Sequence, residues 1–125
     1  MTPIGPSRQR LPNRRAAVTE TIQFAAGDGR VVQHEATIGF DELGQPREIF
    51  LFGAKAGTDM AAVLADTAVA LSVALQHGVG AKAMAMSISR TPPPLGSLHG
   101  GMPVSVIGAA LDLIARYERD EEVAT

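Results

Sequence analysis

The segment VVQHEATIGF, residues 31–40, decides the fold class, because it alternates without a break over ten positions. Val32, His34, Ala36, Ile38 and Phe40 fall on one side of an extended chain, and Val31, Gln33, Glu35, Thr37 and Gly39 on the other. A period of two over this length predicts a strand with one face toward a core. Upstream, VTETIQF places Val18, Ile22 and Phe24 on a common face, with Glu20 as the exception. Asp28-Gly29 lies in the connection, where glycine accepts the positive φ of a tight two-residue turn. Downstream, DELGQP at 41–46 reads as a second turn and REIFLFG as a third strand. The pattern predicts an antiparallel three-stranded meander whose apolar face needs a cover.

The cover comes next in the chain. Gly57-Thr58-Asp59 opens a helix, with Thr58 or Asp59 as the capping side chain. Met60, Val63, Leu64, Thr67, Leu71, Ala74 and Leu75 recur at helical spacing, while Val69 and Val73 lie toward another side. A helix this apolar around its circumference is expected to be buried on more than one side, by the sheet, a second helix or another copy of the chain. Gly78 is placed to end it. Residues 80–86 suit a short helix slightly better than a strand. TPPPLGSLHGGMP reads as a loop. A last helix runs from Val104 or Ser105 to Glu118, with Val104, Ile107, Leu111, Ile114 and Ala115 as its stripe. The fold class is therefore α+β: a three-stranded antiparallel meander packed against a central apolar helix and a C-terminal helix.

Composition bounds the function. The chain has 125 residues, a net charge of −2 and no cysteine. Disulfides, Cys-ligated metal centres and thiol chemistry contributed by this chain are excluded. No continuous apolar run reaches the roughly 18–20 residues that span a bilayer, and no apolar h-region follows the N-terminal arginines. A soluble, cytoplasmic protein is expected. Residues 1–16 read as a flexible basic arm carrying Arg8, Arg10, Arg14 and Arg15. Residues 17–118 read as one domain, and 119–125 as an acidic tail. The charge asymmetry between the ends is suited to steering a partner or a neighbouring subunit, or to a plain solvated tail.

The histidines His34, His77 and His99 have no metal-ligand spacing, so no metal site is assigned. His34 reads as a satisfied, partly buried imidazole and His77 as a partner of helix-end carbonyls. The loop Gly53-Ala54-Lys55-Ala56-Gly57-Thr58 joins a strand to a helix start, where free N–H groups and a lysine suit an anion, although the Walker pattern is missing. The proposed binding surface combines this loop with the 41–48 turn. Lys55 and Arg47 contact an anionic group or acidic partner, Glu48 and Asp59 orient those cations, and Gly57 and Thr58 supply the loop. No catalytic carboxylate pair or serine elbow is recognisable, so no catalytic residue is assigned. The sheet lacks closely spaced aromatics for stacking bases, which disfavours nucleic acid.

The order of these segments resembles a known family. Leu11-Pro12-Asn13-Arg14-Arg15, then Gly39-Phe40-Asp41-Glu42-Leu43-Gly44-Gln45-Pro46-Arg47-Glu48-Ile49-Phe50, the 53–58 loop, Leu71 to Val79, and the loop and helix from Pro94 to Ala115 with Asp112 resemble the TSCPD domain family. That family is best known as the C-terminal accessory region of vitamin B12-dependent ribonucleoside-diphosphate reductases. The resemblance covers most of residues 11–118. It implies an accessory or regulatory module connected with ribonucleotide reduction, a reductase catalytic subunit as partner, and self-association. The cysteines of the family's name pattern are absent, so their metal or redox chemistry is not carried over. Cobalamin and the radical machinery would belong to a larger reductase partner, and no cofactor is expected on this chain. The competing readings are a structural homo-oligomer built on the helix from Met60 to Leu75 and a small anionic-ligand-binding module.

Overall fold

The computed structural model describes residues 7–92, 95 and 101–119. Strands β1 (Ala17–Ala25), β2 (Val31–Phe40) and β3 (Pro46–Phe52) form an antiparallel sheet in the order β1-β2-β3. Ile22 faces His34 and Ile38 faces both Val18 and Ile49, so the inward positions of the three strands line up. The alternation read from 31–40 is the one observed: His34, Ala36, Ile38 and Phe40 are buried. Glu20, the exception in β1, accepts a hydrogen bond from the Tyr117 hydroxyl, which pushes the phenol pKa up. The Tyr117 ring meets Phe40 edge-on with centroids 5.5 Å apart.

Both hairpin turns share one geometry, which corrects the two-residue turn expected at Asp28-Gly29. Ala26 donates its N–H to the Arg30 carbonyl at 2.8 Å, and Gly29 donates to Ala26 at 3.0 Å. The loop is therefore Gly27-Asp28-Gly29, with only Gly29 at positive φ, +88°. Asp41 likewise donates to Gln45 at 2.9 Å, Gly44 donates to Asp41 at 3.0 Å, and Gly44 has φ +80°. One left-handed glycine at the end of a three-residue loop restores the strand twist after an ordinary first turn.

Helix α1 (Asp59–Gln76) begins at Thr58, whose Oγ1 accepts from the Ala61 N–H at 3.2 Å, and Gly78 follows its last turn with φ +89°. It packs on β3 and clasps that strand's outer edge. Ser72 Oγ accepts from the Ile49 N–H at 2.9 Å and donates to the Ile49 carbonyl at 3.2 Å, while Gln76 Nε2 donates to the Arg47 carbonyl at 3.1 Å. Residues four apart share a helix face, so this pair replaces the strand that would otherwise continue the sheet. Leu64, Thr67, Ala68, Leu71, Leu75 and Gln76 are buried. Among the described residues α1 is buried along one side only, so of the covers expected for it the sheet is the one observed.

Helix α2 (Ala81–Ala85) is the short helix expected, and Glu118 caps it by accepting from the Ala81 and Lys82 N–H groups at 2.6 and 2.9 Å. Helix α3 (Val106–Tyr117) starts at Ser105, whose Oγ accepts from the Gly108 N–H at 3.2 Å. It packs on β1 and α2. Its stripe differs from the one expected: Val106, Ala109, Ala110, Leu113 and Ile114 are buried with Leu111, whereas Val104 and Ile107 are exposed. Contact with both a strand and a helix widens the buried arc and turns it away from Ile107. Asp112 pairs with Arg90 through both guanidinium Nη atoms, which raises the Arg90 pKa and ties α3 to the chain just before the 91–103 loop. Most of that loop, including His99, lies outside the described residues. The core between sheet and helices centres on Ile38, Ile49, Leu64, Leu75, Leu111, Leu113 and Ile114.

Candidate functional site

The polar residues that converge do so at the C-terminal end of α1, where the basic arm crosses the β2–β3 turn. Gln9 of the arm donates its N–H to the Gln76 carbonyl at 2.7 Å, and Arg8 Nε donates to Gln76 Oε1 at 2.5 Å. Asp41, buried at the start of the turn, is the hub. Its Oδ1 accepts from the Leu43 and Gln45 N–H groups at 2.9 and 3.0 Å, and its Oδ2 accepts from Gln9 Nε2 at 3.2 Å and Arg47 Nε at 3.0 Å. Burial pushes this carboxyl up, but the bonds from Gln45, Arg47, Gln9 and Leu43 together outweigh it and hold its pKa below the ordinary aspartate value.

Arg47 also donates Nη1 to the Leu75 carbonyl at 3.1 Å, so it joins the turn to a carbonyl in the last turn of α1. Its neighbour Glu48 points to the other side of β3, as successive strand residues do. There it receives Nε and Nη2 of Arg15, the latter at 3.0 Å. Arg15 donates a third bond to the Pro12 carbonyl at 2.7 Å, and its pKa is raised by the bond to Glu48. A cavity of about 360 Å³ opens here, lined by Arg8, Arg10, Leu11, Arg15, Glu48 and Gln76 among others.

The sequence-predicted site residues divide between two places. Gly57, with φ +83°, Thr58 and Asp59 stand at the start of α1 with the exposed Lys55 just before them. Thr58 donates its N–H and hydroxyl to the Lys55 carbonyl at 3.2 and 2.6 Å, which shapes the loop without involving the lysine ammonium. Arg47 and Glu48 sit at the other end of β3, which runs about 17 Å from Arg47 to Phe52. The expected partners also differ: Arg47 pairs with Asp41, and Glu48 with Arg15, because opposite strand faces separate the two neighbours. The residues that sequence reasoning missed are Gln9, Asp41 and Gln76. The signal for them was the run of arm arginines with no local acid, which had to find its partners elsewhere in the fold.

His34 corrects another expectation. It is buried on the inner face, stacked on Phe24 with centroids 6.1 Å apart, and neither ring nitrogen has a hydrogen-bond partner among the described residues. Gly53, at φ +113°, runs so close that a Cβ there would stand 3.0 Å from His34 Nδ1. Among the described residues no cluster of three His, Asp or Glu side chains is placed to hold a metal ion.

A second surface lies along the groove between α1 and the outer side of β3, a cavity of about 440 Å³. Phe50, Phe52, Ala65 and Val69 wall it, and Arg8, Glu48 and Gln76 close the end where it meets the arginine-lined cavity. The arrangement is apolar along its length and polar at its mouth, which suits the docking of a protein surface better than the turnover of a small molecule.

No family model matches the chain, and no solved structure matches it. A vitamin B12-dependent ribonucleotide reductase of Rhodopirellula baltica is 28% identical over 113 residues, 90% of this chain and 10% of that protein. The chain thus spans about a tenth of the length of the curated relative to which it is distantly homologous.

Proposed function

We propose that the chain acts in the cytoplasm as a non-catalytic accessory or regulatory module of ribonucleotide reduction, of the TSCPD type, binding a reductase catalytic subunit. The observation that carries this reading is the reach of the likeness: 90% of the chain aligns with one segment that makes up 10% of a reductase. The matched segment therefore corresponds to nearly the whole fold rather than to a scattered motif. The absence of cysteine from the full sequence argues for a role through binding rather than through thiol chemistry. The arm, the Asp41 hub and the groove between α1 and β3 provide a surface of mixed charge and apolar character for that contact.

The test is a titration of the purified chain against the purified catalytic subunit of a B12-dependent reductase from the same cell, read by calorimetry and by reductase turnover. Saturable binding with a change in turnover or in its response to effectors supports the module. No complex at about 100 μM protein, with turnover unchanged, overturns it. A second reading, a homo-oligomer, is favoured by Phe50 and Phe52, which stand about half exposed beside the apolar outer side of α1. A small anionic ligand is the weaker alternative, since Arg47 is already committed to Asp41 and the Leu75 carbonyl.

A further inference from the structure

Helix α1 is apolar out of proportion to its burial. Its mean hydropathy is 1.4 over Asp59–Gln76, yet only six of its 18 residues are buried. The side turned from the core presents Ala62, Ala65, Asp66, Val69 and Ala70, all exposed. Phe50, Phe52 and Val69 stand 46%, 53% and 63% exposed around the adjoining groove. Scattered apolar side chains on a surface are ordinary, but a contiguous helix face and strand face joined by a groove mark a contact site.

The charges around this face have an order. At the C-terminal end of α1 stands Arg8, bonded to Gln76, with Arg10 in the adjoining cavity. Glu48, the acid at that end, is taken up by Arg15. Toward the N-terminal end the same exposed side of α1 carries Asp59 and, two turns on, Asp66. Apart from Lys55 in the loop before the helix, the face is basic at one end, acidic toward the other and apolar between.

A surface with that order complements itself when rotated by half a turn. We propose that it is the interface between two copies of this chain, related by a two-fold axis near Val69, with the two α1 helices antiparallel. In a two-fold contact the same patch is used by both copies. Antiparallel helices lay Asp59 and Asp66 of each copy toward Arg8 and Arg10 of the other, whereas parallel helices set like charges together. Ala62, Ala65 and Ala70 let the helices approach closely, and Phe50 and Phe52 flank the seam. The basic arm acquires a role in this geometry: it is the half of the charge pattern that the helix itself lacks. The inference rests on the homo-oligomeric reading, and it competes with the reductase reading for the groove between α1 and β3.

Sedimentation equilibrium of the full chain tests it, with circular dichroism as the control for folding. The wild-type chain is expected to dimerise. Arg8→Glu with Arg10→Glu, and separately Asp59→Arg with Asp66→Arg, are each expected to weaken self-association by about tenfold or more. Mixed in equal amounts, the two variants are expected to form a heterodimer, because each then meets opposite charge at both ends. Val69→Asp is expected to give a monomer. A wild-type chain that stays monomeric overturns both the oligomeric reading and this geometry. A dimer unmoved by either charge reversal, or reversed variants that fail to pair with each other, overturns the geometry alone. A monomer whose catalytic-subunit binding is lost on Val69→Asp assigns the face to the reductase partner and likewise overturns the proposal.

Discussion

Arg15 holds Glu48 with two guanidinium nitrogens, and Glu48 in turn lies flat across Gly39 on the neighbouring strand. An arm residue is thereby tied to the edge strand β3, 33 positions along the chain. Glu48 is 8% exposed, so its carboxylate depends on that partner for compensation of its lost hydration.

The asymmetry of such a pair gives the first prediction. Arg15→Ala is expected to lower Tm more than the double change Arg15→Ala with Glu48→Ala, because only the single variant strands a buried carboxylate. Thermal melts of the wild type, both singles and the double complete the cycle. A double variant less stable than Arg15→Ala shows the pair to be unimportant to Glu48.

Gly39 is the second. A Cβ there would fall 2.2 Å from Glu48 Oε1 and 2.6 Å from its Cγ. Gly39→Ala is expected to destabilise by about 1–3 kcal/mol in chemical denaturation. The same change in a Glu48→Ala background is expected to cost much less. Equal costs in the two backgrounds would refute the contact.

Asp41 sets the acid limit of the turn. Its folded pKa lies below the ordinary value of 3.8, so its contribution is fully present above that value and is lost as the pH falls from there through the folded value. Asp41→Asn is expected to cost about 1–3 kcal/mol at pH 7. The gap between variant and wild type is expected to narrow below about pH 4. Denaturation curves at neutral and acid pH measure both, and a gap that widens on acidification reverses the sign argued here.

Ser72 closes the sheet edge, and its loss leaves the Ile49 N–H and carbonyl without that partner. Ser72→Ala is expected to cost about 1–2 kcal/mol. The Ile49 amide is expected to exchange faster than its neighbours in β3. Unchanged protection of Ile49 means that the clasp does not hold the edge.

His34 runs the other way. A buried imidazole with both nitrogens unbonded among the described residues gives up its hydration without return, so His34→Leu is expected to stabilise by about 1 kcal/mol. A loss of more than about 1 kcal/mol instead reveals a bonding partner for the ring.

The strands, a helix start at Thr58 or Asp59 and the α+β class were determined by the sequence alone. These depend on local physics: alternation over 31–40, a hydroxyl before an apolar helix, and glycines where φ turns positive. The lengths of the turns were less legible, because Asp28-Gly29 suits a two-residue and a three-residue loop equally. The stripe of α3 was misread because periodicity names a favourable face but does not say how many neighbours will cover it. Only the tertiary structure decided the candidate site. Arg8, Gln9 and Arg15 are neighbours in the chain, yet Gln76, Asp41 and Glu48, their partners, come from a helix end, a turn and a strand. Charge in the arm announced that acids were needed and left open which ones. Adjacent residues on a strand face opposite ways, so Arg47 and Glu48, read together as one surface, entered two different bonds. Long-range pairing depends on where the folded chain brings its ends, and no local pattern carries that information.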